Sequence, residues 1–117
     1  MIKKKLLVVD DEEIVRISCQ RVFVLEGHDV TLCSNAKEAL LLLEADTFDL
    51  VLLDLMMPEV DGFELTLLIK KRWPGMKVVL MTGYITAKVK FQAESVGVDY
   101  FIEKPFLPED ILAAVQI

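Results

Sequence analysis

The chain has little soft metal-binding chemistry: two cysteines and one histidine. Cys19 and Cys33 fall inside apparent secondary structure and not in a spaced framework. They read as buried, reduced thiols of a cytoplasmic protein and not as a disulfide scaffold. His28 has no Cys or His beside it in sequence, which argues against a metal role; it falls where a helix hands over to a strand. Positive charge is also short. Thirteen Lys and Arg stand against nineteen Asp and Glu, a formal net charge of −6. Nucleic acid and bilayer surfaces are themselves negative, so a chain with this balance and no basic stripe is expected to bind neither directly. The one basic cluster, Lys3-Lys4-Lys5, reads as a solvated lead-in to the first strand, since three charges make a weak patch. No run approaches the ~20 apolar residues of a membrane span. The apolar run Leu6 to Val9 is stopped by Asp10 and is too short for the core of a secretory signal. Linkers, repeats and low-complexity segments are missing. The 117 residues suit one domain, 1–117.

What is present is apolar and regularly spaced. Hydrophobic residues make up 54 % of the chain, ample for one core. Short runs at Leu6–Val9, Val30–Cys33, Leu50–Leu53, Val78–Met81 and Tyr100–Ile102 are nearly continuous rather than alternating. Strands read this way when both faces of their sheet are covered. Each gap between runs is long enough for the crossover helix that parallel neighbours require.

The gaps carry helix signals. Asp10-Asp11-Glu12-Glu13 places acids in a first turn, and Gly27 ends that helix. Asn35 with Glu38 three residues on is an N-cap pattern, followed by Ala36, Ala39, Leu40 and Leu43 at helical spacing. Asp61-Gly62 opens a third helix, which stops before Pro74-Gly75. Val89, Ala93 and Val96 predict the buried stripe of a fourth, ended by Gly97. Pro108 suits the first position of a fifth, with Ile111, Leu112 and Val115 inward. The expectation is α/β: five strands and five helices in strict order, a doubly wound parallel sheet with right-handed crossovers.

In such a sheet the working groups lie beyond the carboxyl ends of the strands. The first strand ends in Asp10-Asp11, the third in Asp54, the fourth in Thr82-Gly83, and the fifth runs into Glu103-Lys104-Pro105. Taken singly, each is ordinary: a helix cap, a turn residue, a strand end, a surface lysine. Four such residues at four strand ends are not ordinary. Carboxylates ~4 Å apart repel by on the order of 4 kcal/mol per pair at an effective dielectric near 20. A divalent cation together with Lys104 would offset that repulsion, and Mg²⁺ suits hard oxygen ligands. A carboxylate held beside Mg²⁺ and a lysine can attack phosphorus, a reaction that needs mainly positioning and charge neutralisation. Thr82 is placed to donate to a phosphoryl oxygen, and Gly83 lets the backbone approach.

With these residues assembled, the sequence resembles the receiver domain family of two-component response regulators. The segments that carry the resemblance are Leu7-Val8-Val9-Asp10-Asp11-Glu12, Leu52-Leu53-Asp54-Leu55-Met56-Met57-Pro58-Glu59-Val60-Asp61-Gly62, Met81-Thr82-Gly83-Tyr84, and Tyr100-Phe101-Ile102-Glu103-Lys104-Pro105-Phe106. They span essentially the whole chain. The resemblance implies a flavodoxin-like sheet of order 2-1-3-4-5. It implies a signalling domain, not an enzyme with a separate substrate, that assists its own phosphorylation and dephosphorylation. Asp54 would be the phosphoacceptor, charged by a sensor histidine kinase or phosphotransfer protein. Asp10, Asp11, Asp54 and the backbone carbonyl of Met56 would hold Mg²⁺. Lys104 would pair with the phosphoryl group, and the peptide before Pro105 is usually cis in the family. Thr82 would swing toward the phosphate, and Phe101 would turn inward with it. Phe101 is a Tyr in the commonest pattern, so no hydroxyl is offered there. Tyr100 should face the opposite side of the strand. Leu107 stands where a capping Ser, Asp or Asn is frequent, which predicts a weak start to the last helix.

Two surfaces follow. The first helix carries Val15, Cys19, Val22 and Phe23 as an inward face, which leaves Ile14, Ile17, Val24 and Leu25 as surplus. By analogy with the family, Ile14, Val15 and Ser18 would dock a kinase helical bundle. Phe91, Tyr100 and Phe101 would contribute to a face of the fourth helix, fifth strand and fifth helix used for a homodimer or for output. Three competing functions are weaker. A haloacid-dehalogenase-like aspartyl-phosphate phosphatase wants an acid two residues after the nucleophile, where Met56 stands. A flavin or dinucleotide binder wants a Gly-, Ser- or Thr-rich first loop, where Asp-Asp-Glu-Glu would repel phosphate. A degenerate receiver used only as a scaffold would not keep all the acids, Thr82 and Lys104. The stimulus, the cognate kinase and the output are not written in these residues. A stand-alone regulator and a segment of a longer hybrid kinase or transcription factor both fit.

Overall fold

The computed structural model describes residues 2–117. Five strands alternate with five helices: β1 (Lys5–Val9), α1 (Glu13–Leu25), β2 (Asp29–Cys33), α2 (Ala36–Ala45), β3 (Leu50–Asp54), α3 (Gly62–Arg72), β4 (Lys77–Thr82), α4 (Ala87–Val96), β5 (Tyr100–Glu103) and α5 (Pro108–Ala114). The strands form one sheet in the order β2-β1-β3-β4-β5, and every pairing is parallel.

The continuous apolar runs explain why both faces of the sheet are covered. Leu7, Val9, Val51, Leu53, Val78 and Leu80 pack beneath α2, α3 and α4. Leu6, Val8, Leu50, Leu52, Val79 and Met81 pack on the other face beneath α1 and α5. Successive side chains point to opposite faces, so a strand covered on both sides has no position left for a polar residue.

The expected caps form at α2 and α3. Asn35 Oδ1 accepts from the Glu38 N–H at 2.9 Å and Asp61 Oδ1 from the Glu64 N–H at 2.9 Å. A cap was not foreseen at α4, where Thr86 Oγ1 accepts from the Val89 N–H. Gly97, at φ +95°, closes that helix in the left-handed conformation that favours glycine. Leu107 offers α5 no side-chain cap. Half of the usual reciprocal pair survives, because Asp110 Oδ2 accepts from the Leu107 N–H at 2.7 Å.

Two expectations need correction. Asp10 and Asp11 precede α1, which begins only at Glu13 with Glu12 as its N-cap residue, so the first turn carries one of the four acids and the other three stand at the rim. Val96 is not part of the α4 stripe. Val89 and Ala93 pack on the sheet, and Val98, in the turn after the helix, takes the third place. The backbone reverses at Gly97 and points Val98 inward.

Gly62 holds α3 against the end of β3. Its N–H donates to the Leu55 carbonyl at 2.8 Å. A Cβ here would lie 2.6 Å from the Asp54 carbonyl oxygen and 2.8 Å from Leu55 Cα. Backbone cannot yield as a side chain does. Gly62→Ala is therefore expected to lower stability by roughly 1–3 kcal/mol despite alanine's better helix propensity. Urea unfolding would measure it, and a variant as stable as the parent would refute the close approach.

Candidate functional site

Asp10 leaves β1 wholly buried and Asp54 ends β3 at 4 % exposure. These strands are adjacent and parallel, so their ends share one rim. Asp10 is held by its surroundings. Its Oδ1 accepts from the Glu12 N–H at 2.9 Å, and its carbonyl accepts from Arg16 Nη1 at 2.7 Å. Lys104 arrives from the turn after β5, where its N–H donates to the Thr82 carbonyl at 2.9 Å. Its Nζ donates to Asp10 Oδ2 at 2.8 Å and to Asp54 Oδ1 at 3.1 Å. The Lys104–Pro105 peptide is cis.

One ammonium serves two buried carboxylates, and it does not balance both. Burial, reinforced by the nearby Asp10 charge, pushes the Asp54 carboxyl up to about 6 against the opposing pull of Lys104. Burial also raises Asp10 above the ordinary carboxylate range, although Lys104 and the Glu12 N–H oppose it. For Lys104 burial acts downward, but the Asp10 and Asp54 carboxylates outweigh it and hold the amine above its usual value. Two anions therefore compete for one cation, and a further positive charge would relieve the site.

Asp11 and Glu12 complete the acidic group. Asp10, Asp11, Glu12 and Asp54 each offer a carboxylate oxygen, all within 4.8 Å of one another. A cavity of about 490 Å³ opens above them, lined by Asp11, Glu12, Asp54, Met56, Thr82, Tyr84 and Lys104 among others. Thr82 is buried, and its Oγ1 accepts from the Tyr84 N–H at 3.0 Å. All the rim residues singled out in the sequence, Asp10, Asp11, Asp54, Met56, Thr82 and Lys104, are brought together here. Glu12 joins them, although the sequence assigns it no role. Its position directly after two acids was the only signal, and helix capping was the more ordinary explanation.

The surface residues divide differently. Ile14 is 74 % exposed and lines, with Val15, Ser18, Val22, Pro105 and Phe106, an apolar groove of about 540 Å³ between α1 and the β5–α5 turn. Pro105 and Phe106 were not foreseen as groove residues, because only the fold carries that turn to the side of α1. Phe101 is half-buried against the core beneath α4, while Tyr100 is 38 % exposed. Phe91 stands 71 % exposed but does not line the depression between α4 and β5, where Lys90, Ala93, Tyr100 and Phe101 meet. His28 is buried, accepts from the Lys4 N–H at 3.1 Å and takes no part in the rim.

Residues 6–116 match the family model described as the response regulator receiver domain. The chain belongs to this family. Among curated proteins, this receiver domain is 39 % identical over 111 residues to response regulator SaeR of Staphylococcus epidermidis, covering 92 % of the chain and 46 % of that protein. SaeR of Staphylococcus aureus is 36 % identical over 115 residues, covering 95 % of the chain and 48 % of that protein. The chain thus spans about half the length of the curated relatives it matches. Among solved structures, the chemotaxis protein CheY4 of Vibrio cholerae superposes with a TM-score of 0.94 at 26 % identity, covering 98 % of both chains. A CheY-like receiver domain protein of Methanospirillum hungatei gives 0.92 at 32 % identity, covering 98 % of this chain and 92 % of that one. The family is one of signalling domains within two-component systems. No helix among the described residues is long and apolar enough to cross a membrane.

Proposed function

We propose that this receiver domain accepts a phosphoryl group on Asp54 from a sensor histidine kinase or phosphotransfer protein and relays the change to a partner surface. The carrying observation is the Lys104 ammonium shared between buried Asp10 and Asp54 at the floor of an acidic cavity. Asp54 is the nucleophile, since its carboxylate is the one that lines the opening while Asp10 is sealed beneath. Lys104 then pairs with the oxygens of the incoming group while keeping its bond to Asp10. Thr82 keeps its hydroxyl proton free to donate to the phosphoryl group, because its oxygen is already an acceptor.

The donor set suits Mg²⁺: hard carboxylate oxygens on a rim with more negative than positive charge. Asp11, Asp54 and the carbonyl of Met56 would hold it at the opening, with the buried Asp10 acting partly through water. When bound, Mg²⁺ supplies charge neutralisation for the transferring phosphoryl group. Acetyl phosphate with Mg²⁺ is expected to label the wild type, read by intact mass, and to leave Asp54→Asn unlabelled. Equal labelling of both would overturn the assignment.

The apolar groove beside α1 supports docking of the donor protein through Ile14, Val15 and Ser18. An Ile14→Glu variant is expected to slow transfer from the cognate kinase by tenfold or more, at about 1.4 kcal/mol per factor of ten, while labelling by acetyl phosphate persists. Full transfer from the kinase would defeat the docking role. Movement of Thr82 toward a phosphoryl group would draw Phe101 further inward and reshape the face that includes Tyr100 and Phe91. That face is the candidate for output or for a homodimer through α4, β5 and α5. Both cysteines are free and buried, their thiols pushed up to about 12 by burial. Inert thiols of this kind support a reducing, cytoplasmic setting.

A further inference from the structure

Glu12 is the one acid of the rim without a task in the reading above. It is the N-cap residue of α1, yet its side chain makes no capping bond. Its N–H is tied to Asp10 Oδ1, which pins the residue at the rim. Its carboxylate stands 3.7 Å from Lys104 Nζ, the longest of that amine's three ion contacts, with the side chain 61 % exposed. It borders both the acidic cavity and the apolar groove. Charge arithmetic shows what such a residue does. Asp10, Asp11 and Asp54 carry three negative charges, which Lys104 and a divalent cation would balance. Glu12 is the surplus, and it sits on the solvent side of the opening.

We propose that Glu12 is a specificity-determining residue of this site, whose charge disfavours small dianionic phosphoryl donors arriving from solvent. This rests on the reading of Asp54 as phosphoacceptor. Transfer from an acyl phosphate is an exchange. An Asp54 carboxylate oxygen forms the new bond to phosphorus, the donor's P–O bond breaks, and the donor's carboxylate leaves with the electron pair. No oxidant or reductant is needed. The donor must bring two negative charges past Glu12. At roughly 7 Å in a water-like dielectric with moderate screening, one charge repelling two slows entry about three- to tenfold.

Glu12→Gln removes the charge at nearly constant shape. Two donors distinguish charge from geometry: acetyl phosphate, a dianion, and phosphoramidate, whose protonated nitrogen leaves it about one net charge and departs as ammonia with the electron pair when its P–N bond breaks. The variant is expected to accept from acetyl phosphate about three- to tenfold faster at low ionic strength, and from phosphoramidate by a smaller factor. Both gains should shrink in concentrated salt, and Glu12→Asp should stay near the wild-type rates. Binding of inorganic phosphate, followed by phosphorus NMR titration, should tighten in Glu12→Gln by a similar factor without any transfer. Unchanged rates and unchanged phosphate affinity would overturn the proposal. So would an equal, salt-insensitive gain with both donors, which would mean that Lys104 had merely shifted. A wild type that accepts from neither donor would instead defeat the phosphoacceptor reading itself, and this inference with it.

Discussion

Replacing Lys104 with methionine is expected to destabilise the metal-free domain by about 2–4 kcal/mol near pH 8 and by little below about pH 3. The side chain is 16 % exposed and is the shared partner of two carboxylates, one of them wholly buried. Removing it leaves Asp10 and Asp54 facing each other uncompensated. At high pH both are ionised in the unfolded chain, so the fold must either take up protons or carry the repulsion. At low pH both are protonated in either state, and the penalty disappears. Urea unfolding across this range would test it. A loss of stability that did not change with pH would mean that Lys104 acts by packing its stem and not by its charge.

Asp54→Asn is expected to do the opposite. The Asp54 carboxyl sits at about 6 in the fold against an ordinary 3.8, so its folded pKa is raised. A raised carboxyl favours the fold fully below the unfolded pKa, and the benefit is lost as pH climbs through the folded value. The metal-free wild type should therefore lose stability between about pH 4 and pH 6, by on the order of 3 kcal/mol from this group. Asp10, raised in the same direction, adds to the slope. Lys104 does not, because its proton stays on throughout that window. The difference between wild type and Asp54→Asn isolates the single group: nearly none near pH 4 and a gain for Asn of on the order of 2–3 kcal/mol above pH 7. Millimolar Mg²⁺, which binds the fold and not the unfolded chain, should raise the melting temperature of the wild type more than that of Asp54→Asn. A wild type that melts identically with and without Mg²⁺, or an Asn variant less stable than its parent at neutral pH, would contradict the charge argument.

Much of the fold was legible because each local signal had one reading. A run such as Leu50–Leu53, apolar at every position, has nowhere to go except a sheet covered on both faces. Asn35 and Asp61 announced two helix starts, and Gly97 a helix stop. The rim was legible for a related reason: in a parallel sheet every strand ends at the same edge, so Asp10, Asp54, Thr82 and Lys104 could be brought together from strand order alone. The misreadings were local. Asp10 and Asp11 looked like first-turn acids of α1 because acids are common there, and linear sequence does not say whether a carboxylate turns to the helix or to a neighbouring strand. Val96 fitted the helical period, but the reversal at Gly97 gave its place to Val98.

The sequence by itself determined the alternation of strands and helices, the apolar core and the identity of the groups at the rim, because periodicity and strand polarity are properties of the chain read in order. Only the tertiary structure decided that one ammonium is divided between Asp10 and Asp54, that Glu12 stands at the mouth beside them, that Gly62 must lack a side chain behind Asp54, and that Pro105 and Phe106 complete a groove with α1. Each of these depends on distances between residues far apart in sequence, and such distances are set by how the helices pack on the sheet.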